Sequence, residues 1–149
     1  MNFINILDSI YLEEYLTICY NEWSDKSKPF NLNDKIKRVK GSNNIILAIG
    51  LIENNILVGF ISLFKNDCTQ KVELTPWYAT MYVKNTYRNK GYSKLLNNEL
   101  IKQAHSLGYE KIYLKSKLSN YYEKFGANYL SKLEDGEKLY YINTKKQRK

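Results

Sequence analysis

Two apolar runs, Ile45 to Ile52 and Ile56 to Phe64, stand on either side of Glu53-Asn54-Asn55. Strand-length apolar segments divided by so short a polar break signal a hairpin. A chain carrying that hairpin has to build a sheet around it. Asn66 to Gln70 is polar and reads as the next turn, and Trp77 to Val83 reads as a third strand. The periodicity then changes. Leu95, Leu96, Leu100, Ile101, Ala104 and Leu107 recur at spacings of three and four, predicting a helix from about Gly91 to Leu107 with one face on the sheet. Beyond Gly108 come a short strand at Lys111–Leu114, a short helix at Asn120–Phe125, and a final pair of strands at Ala127–Leu130 and Leu139–Asn143.

Upstream of the hairpin, a helix is expected from about Ser9 to Glu22, with Asp8 or Ser9 as N-cap. Its Ile10, Leu12, Tyr15, Leu16 and Cys19, with Trp23, fall mostly on one side. A second helix spans Asn33 to Lys40 and stops at Gly41-Ser42-Asn43, and Phe3–Leu7 is a candidate extra strand. Antiparallel hairpins joined to one crossover helix imply a mixed sheet covered by helices.

Composition narrows the function classes. A length of 149 residues favours one domain, large enough for a self-sufficient core. Fourteen Tyr, five Phe and two Trp argue against disorder, although the mean hydropathy is −0.52. Cys19 and Cys68 fit neither a disulfide framework nor a zinc site, and the lone His105 makes a histidine-based triad or metal site a poor expectation. No metal is expected. No stretch approaches the roughly 20 apolar residues of a membrane span, and the first residues lack the basic start of a secretory signal. A cytoplasmic location and no membrane partner are therefore expected. Half of the net charge of +8 comes from four cations in Lys145–Lys149. Clustered cations can hold nucleic acid, but a terminal run is more often a solvated, frayed tail. The expected layout is one domain over 1–144 and a disordered basic tail over 145–149.

The strand-to-helix junction from Val83 to Leu96 carries the chemistry. Helix N-termini expose unpaired N–H groups and the positive end of the dipole, which attract phosphate. Gly91 permits close approach of an anion, Ser93 adds a small hydroxyl donor, and Arg88, Lys90 and Lys94 supply cations. Neither a Gly-x-Gly-x-x-Gly fingerprint nor a Gly-Lys-Ser/Thr loop is present. On these residues alone, a pyrophosphate cradle and an ordinary helix start both remain open.

Arg88-x-x-Gly91-x-Ser93 resembles the Arg/Gln-x-x-Gly-x-Gly/Ala loop of the GNAT superfamily of acyl-CoA-dependent N-acetyltransferases. The likeness extends upstream to Leu74-Thr75-Pro76-Trp77, which enters a strand ending in Val83, and downstream to Asn120–Gly126. That last segment looks like the family's Asn-x-x-Tyr-x-x-x-Gly. The resemblance covers about Ile45 to Leu130. Three departures stand out: Ser93 replaces the second Gly or Ala, Asn85 stands where Pro is common, and Ala127 follows Gly126 where Phe is usual.

What the resemblance implies is an α/β (α+β) fold. Its central, mostly antiparallel sheet has six to seven strands flanked by about four helices, and splays in a V between the fourth and fifth strands. Acetyl-CoA is the implied acyl-donor co-substrate. Its pantetheine would pair with backbone at Met81, Tyr82 and Val83, and its pyrophosphate would rest on Arg88, Asn89, Lys90, Gly91, Tyr92, Ser93 and Lys94, with Asn120 nearby. The thioester then falls near Thr80, Met81 and Tyr122. Tyr122 is the expected proton donor to the leaving thiolate, with Tyr121 the alternative if the register slips by one. The general base is not legible in the sequence; by position, Glu73, just ahead of the third strand, is the best-placed carboxylate to act through water, ahead of Asp67 in its turn. Neither cysteine is expected near the cleft, which favours direct attack by a small-molecule or peptide primary amine. A non-catalytic acyl-CoA-binding module and an acetyltransferase acting on aminoacyl-tRNA are the alternatives. Monomer and homodimer are both open.

Overall fold

The computed structural model describes residues 1–24, 27, 29–41 and 44–145. Strand β1 (Asn2–Asn5) runs into a 3-10 turn at Ile6–Asp8, followed by helices α1 (Leu12–Trp23) and α2 (Leu32–Gly41). Then come β2 (Ile45–Glu53), β3 (Ile56–Phe64), β4 (Trp77–Val83), α3 (Tyr92–Ser106) and β5 (Lys111–Ser116). Another 3-10 turn, at Asn85–Tyr87, lies between β4 and α3, and a third at Tyr122–Phe125 leads to β6 (Ala127–Lys132) and β7 (Lys138–Asn143). The seven strands form one sheet in the order β1-β2-β3-β4-β5-β7-β6. Every neighbouring pair is antiparallel except β4 and β5, which are parallel across the α3 crossover.

The hairpin closes as its sequence requires. Asn54 and Asn55 both take left-handed backbone, with φ of 50° and 63°, and Glu53 pairs with Ile56 across them. β2 and β3 are nearly continuous in apolar residues because helices cover both of their faces. On one face Ile49, Leu51, Ile61 and Leu63 meet Leu96, Leu100 and Ala104 of α3. On the other, Ala48, Ile52, Leu57 and Phe60 meet Ile6, Leu12, Tyr15 and Leu16. A smaller cluster at the start of β4 joins Trp77 to Cys68, Leu133 and Leu139. β3 and β4 approach closely: a Cβ at Gly59 would lie 2.7 Å from the carbonyl oxygen of Tyr82.

Three expectations change. Helix α1 begins at Leu12, not Ser9, because the Ser9 hydroxyl donates to the Ile6 carbonyl and accepts the Tyr11 N–H, extending the preceding turn. Ile10 is left 88% exposed. On α3 the buried stripe is Leu96, Leu100 and Ala104 at spacings of four, so Leu95 rotates outward and Leu107, already past the helix, is exposed. Asn97 is buried instead, at 1% exposure, with no hydrogen-bond partner for its side-chain amide. The expected fourth helix is only the 3-10 turn at Tyr122–Phe125, leaving three α-helices among the described residues. Ser42, Asn43 and, apart from Lys145, the basic tail lie outside the described residues. Among the described residues no helix is long and apolar enough to cross a membrane.

Candidate active site

β4 meets β5 at a single rung, Trp77 opposite Tyr113, supported by the Tyr113 N–H donating to the Pro76 carbonyl at 3.0 Å. Past that rung the strands part. A bulge in the β3–β4 ladder marks the place: Ile61 pairs with Met81 and Leu63 with Tyr78, so Ala79 and Thr80 share Ser62. The Thr80 hydroxyl donates to Ser62 Oγ at 2.6 Å, and Ser62 also hydrogen-bonds the Tyr15 hydroxyl at 2.7 Å.

The direction of the β4 peptide groups follows from the ladder. Lys84 N–H donates to the Val58 carbonyl at 2.8 Å while Gly59 and Val83 are the paired residues. Gly59–Val83 is therefore a non-hydrogen-bonded pair, and so is Ile61–Met81 two residues on. Met81 and Val83 thus turn their own N–H and C=O away from β3, into the gap. At Val83 the carbonyl accepts Arg88 Nε at 2.8 Å, and the Arg88 guanidinium lies 5.7 Å over the Tyr82 ring.

The gap opens into a cleft of about 500 Å³ lined by Met81, Tyr82, Val83, Arg88, Asn89, Gly91, Tyr92 and Ser93, together with Glu22, Trp23, Tyr87, Tyr121 and Lys124. Gly91 is the N-cap of α3, with φ of 81°, no side chain capping the helix start, and open space where a Cβ would be. Asn89, two residues earlier, is also left-handed at φ 64°. Left-handed residues alternating through a helix entry turn successive N–H groups toward one concavity. The Tyr92 hydroxyl points elsewhere: it donates to Glu53 Oε1 at 2.7 Å, a bond that raises its pKa and ties the helix start to β2. Lys90 and Lys94 are exposed and do not line the cleft, with Lys90 Nζ 5.5 Å from the Tyr87 ring.

Tyr122 is half-buried, edge-on to Tyr78 at 5.7 Å and to Tyr121 at 4.8 Å. Burial, then the neighbouring Tyr121, raises its pKa. Tyr121, rather than Tyr122, lines the cleft, with Lys124 Nζ 4.1 Å over its ring. The Tyr78 hydroxyl beside them is buried without a hydrogen-bond partner, and burial pushes its pKa well up. Asn120 is exposed, two residues before Tyr122 rather than three, and its N–H donates to Glu123 Oε2 at 3.0 Å. Glu73 is exposed in the turn before β4 and lines neither the cleft nor the recess described next; the carboxylate lining the cleft is Glu22, which the motifs did not indicate.

A second recess, about 340 Å³, lies against β4 on its α1–α2 side. Trp23 lines both recesses, and Thr80 here is the neighbour in sequence of Met81 in the cleft. Tyr15, Leu16, Val39, Ile45 and Phe64 give it an apolar lining. Cys19 lines it too, contrary to expectation, because α1 packs back over β4. Burial pushes its thiol up to about 12, which leaves almost no thiolate near neutrality and makes it a poor nucleophile. Cys68 stays in the small cluster at the base of β4. Among the described residues no group of three or more His, Cys, Asp or Glu side chains could hold a metal ion.

The family model described as "Acetyltransferase (GNAT) family" matches residues 5–127. No curated protein sequence matches the chain significantly. Among solved structures, the chain resembles an aminoglycoside 6'-N-acetyltransferase complexed with coenzyme A, with a TM-score of 0.73, 16% identity and full coverage of both chains. It also resembles the PaiA N-acetyltransferase of Thermoplasma acidophilum in complex with coenzyme A, with a TM-score of 0.59, 23% identity, and coverage of 90% of this chain and 80% of that one. An N-acetyltransferase of Staphylococcus aureus Mu50 matches with a TM-score of 0.67 and 20% identity over 97% of this chain and 100% of the other. At such identities the likeness is one of fold.

Proposed function

The chain belongs to the GNAT acetyltransferase family, and from that membership we propose that it transfers an acetyl group from acetyl-CoA directly to a primary amine. The observation that carries this reading is the parting of β4 from β5 after one rung, which leaves the Met81 and Val83 peptides facing a cleft that ends on the open helix start at Gly91. An extended chain of amides suits the first feature, by strand addition, and a pyrophosphate suits the second. Bound there, acetyl-CoA supplies an activated acyl carbonyl with a thiolate leaving group.

The protein's own groups do the rest. The Tyr122 hydroxyl, kept protonated by its surroundings, donates to the departing sulfur. Glu22, at the cleft wall, receives the ammonium proton of the acceptor through water, a role its position suits better than that of Glu73. The high thiol pKa of Cys19 favours direct attack over an acyl-enzyme. The acceptor enters beside Thr80, at the second recess. Aminoglycosides, the acceptors named for one structural neighbour, are polycations, whereas this recess presents Lys35 and Arg38, so the two electrostatic requirements are opposed.

Titration calorimetry tests the donor half. Wild-type protein should bind acetyl-CoA, and Gly91→Val should weaken binding by about tenfold or more, through strain at a positive φ and crowding of the cradle. A correctly folded Gly91→Val protein with wild-type affinity would remove the phosphate-loop assignment. Binding without thiol release for any of a broad panel of amines would favour a non-catalytic module.

A further inference from the structure

We propose that the recess between α1, α2 and β4 selects a primary amine joined to an apolar or aromatic body and to a carboxylate. This rests on the acetyl-transfer reading and names the acceptor class for it. Size comes first. At about 340 Å³ the recess is at the small end of the roughly 300–1,000 Å³ common for small-molecule sites. Its floor is apolar, from Leu16, Val39, Ile45 and Phe64, and Trp23 stands at the boundary with the cleft. An aliphatic or aromatic body fits that lining.

Charge comes second. Lys35, Arg38 and Val39 fall at i, i+3 and i+4 on α2, so the two cations flank the same face that turns Val39 into the recess. Neither forms an ion pair among the described residues, where Lys84–Glu14 is the one pair found. Both cations also line an adjoining outer recess, where Asp34 is the only carboxylate among the described lining residues. Among the described residues, two cations against one carboxylate leave a positive rim on an apolar hollow. Arg38 presents a planar donor fork that suits a carboxylate, and Lys35 adds a point charge. Thr80 lines this recess but not the outer one, and is next in sequence to Met81 of the donor cleft, so an amine at Thr80 and a carboxylate at the two cations give the ligand a direction.

The reaction balances for such a ligand. The amine nitrogen bonds the acetyl carbonyl carbon as the carbon–sulfur bond breaks. The ammonium gives up two protons in all, one ending on the sulfur and one in solvent.

The test compares phenylalanine and leucine with their carboxamides, and with spermidine, by thiol release in the presence of acetyl-CoA. The carboxamides have less basic amines, so any preference for the acids does not come from easier deprotonation. We expect at least one acid to be acetylated with a kcat/KM about tenfold or more above its carboxamide and above spermidine. That ratio should fall toward one in Lys35→Ala and in Arg38→Ala. Equal or better turnover of the carboxamides or spermidine, or a ratio untouched in both variants, overturns the proposal while leaving acetyl transfer intact. Failure to bind acetyl-CoA at all, measured by calorimetry on the same samples, would instead overturn the acetyl-transfer reading beneath it.

Discussion

Tyr122, the proposed proton donor, and its neighbour Tyr121 stand in different surroundings. Tyr121 lines the cleft, while Tyr122 packs on Tyr78 in partial burial that raises its pKa. A phenol above its ordinary value of about 10 stays protonated wherever the enzyme works, and a thiolate whose acid has a pKa near 8.5 is a willing partner. Tyr122→Phe should lower kcat by about 10²–10⁴-fold with little change in acetyl-CoA affinity, since the hydroxyl acts on the leaving group. Glu22→Gln should lower kcat/KM in the same assay, whereas Glu73→Gln, in its exposed turn, should stay within about twofold of wild type. If Tyr121→Phe is the crippled variant, the donor is the neighbouring ring. If both phenylalanine variants turn over normally with chemistry rate-limiting, neither hydroxyl is the acid.

Helix α1 presses Tyr15 and Cys19 onto β3 and β4, and that packing depends on their remaining neutral. Burial raises Tyr15 and carries the Cys19 thiol from 9.0 to about 12. A raised folded-state pKa means that the unfolded chain loses its proton first. The stability is therefore complete below pH 9 and drains away as pH climbs from about 9 through 12. Thermal unfolding should give a Tm nearly constant from about pH 7 to 8.5 and falling steeply above 9, with a shallower fall in Cys19→Ala. A Tm unchanged to pH 11 would contradict the burial of these groups. None of this was legible in the sequence, where Cys19 was one member of an amphipathic stripe. What was legible was local: β3 and β4 fall on their expected residues because Asn54-Asn55 encodes its own turn and the strands are bounded by polar stretches. The bulge opposite Ser62 and the recess over Thr80 arise from partners tens of residues away, which no short pattern records. Most residues named from the loop motif line the cleft, whereas Lys90, Lys94 and, beyond the loop, Asn120 are exposed and do not.

At the scale of the whole molecule, the chain consists of two sequence-contiguous pieces of sheet. One runs from β1 to β4 and the other comprises β5, β7 and β6, and they share one ladder rung and the core under α3. Segments joined by so few backbone bonds open as separate cooperative units. Amide exchange should show Leu114 and Tyr140 losing protection together, at a lower opening free energy than Ile49 and Phe60; one common value for all four would contradict this. The parting has a further consequence. A sheet that splits in its middle has four free borders instead of two, and the two inner ones are templates on which a stray strand from another molecule can dock. On β4, Arg88 holds the Val83 carbonyl, so a chain docking there meets both the N–H and the C=O of Met81 but only the N–H of Val83. A residue first noticed for its charge therefore also shortens the stretch of β4 border on which another strand can pair.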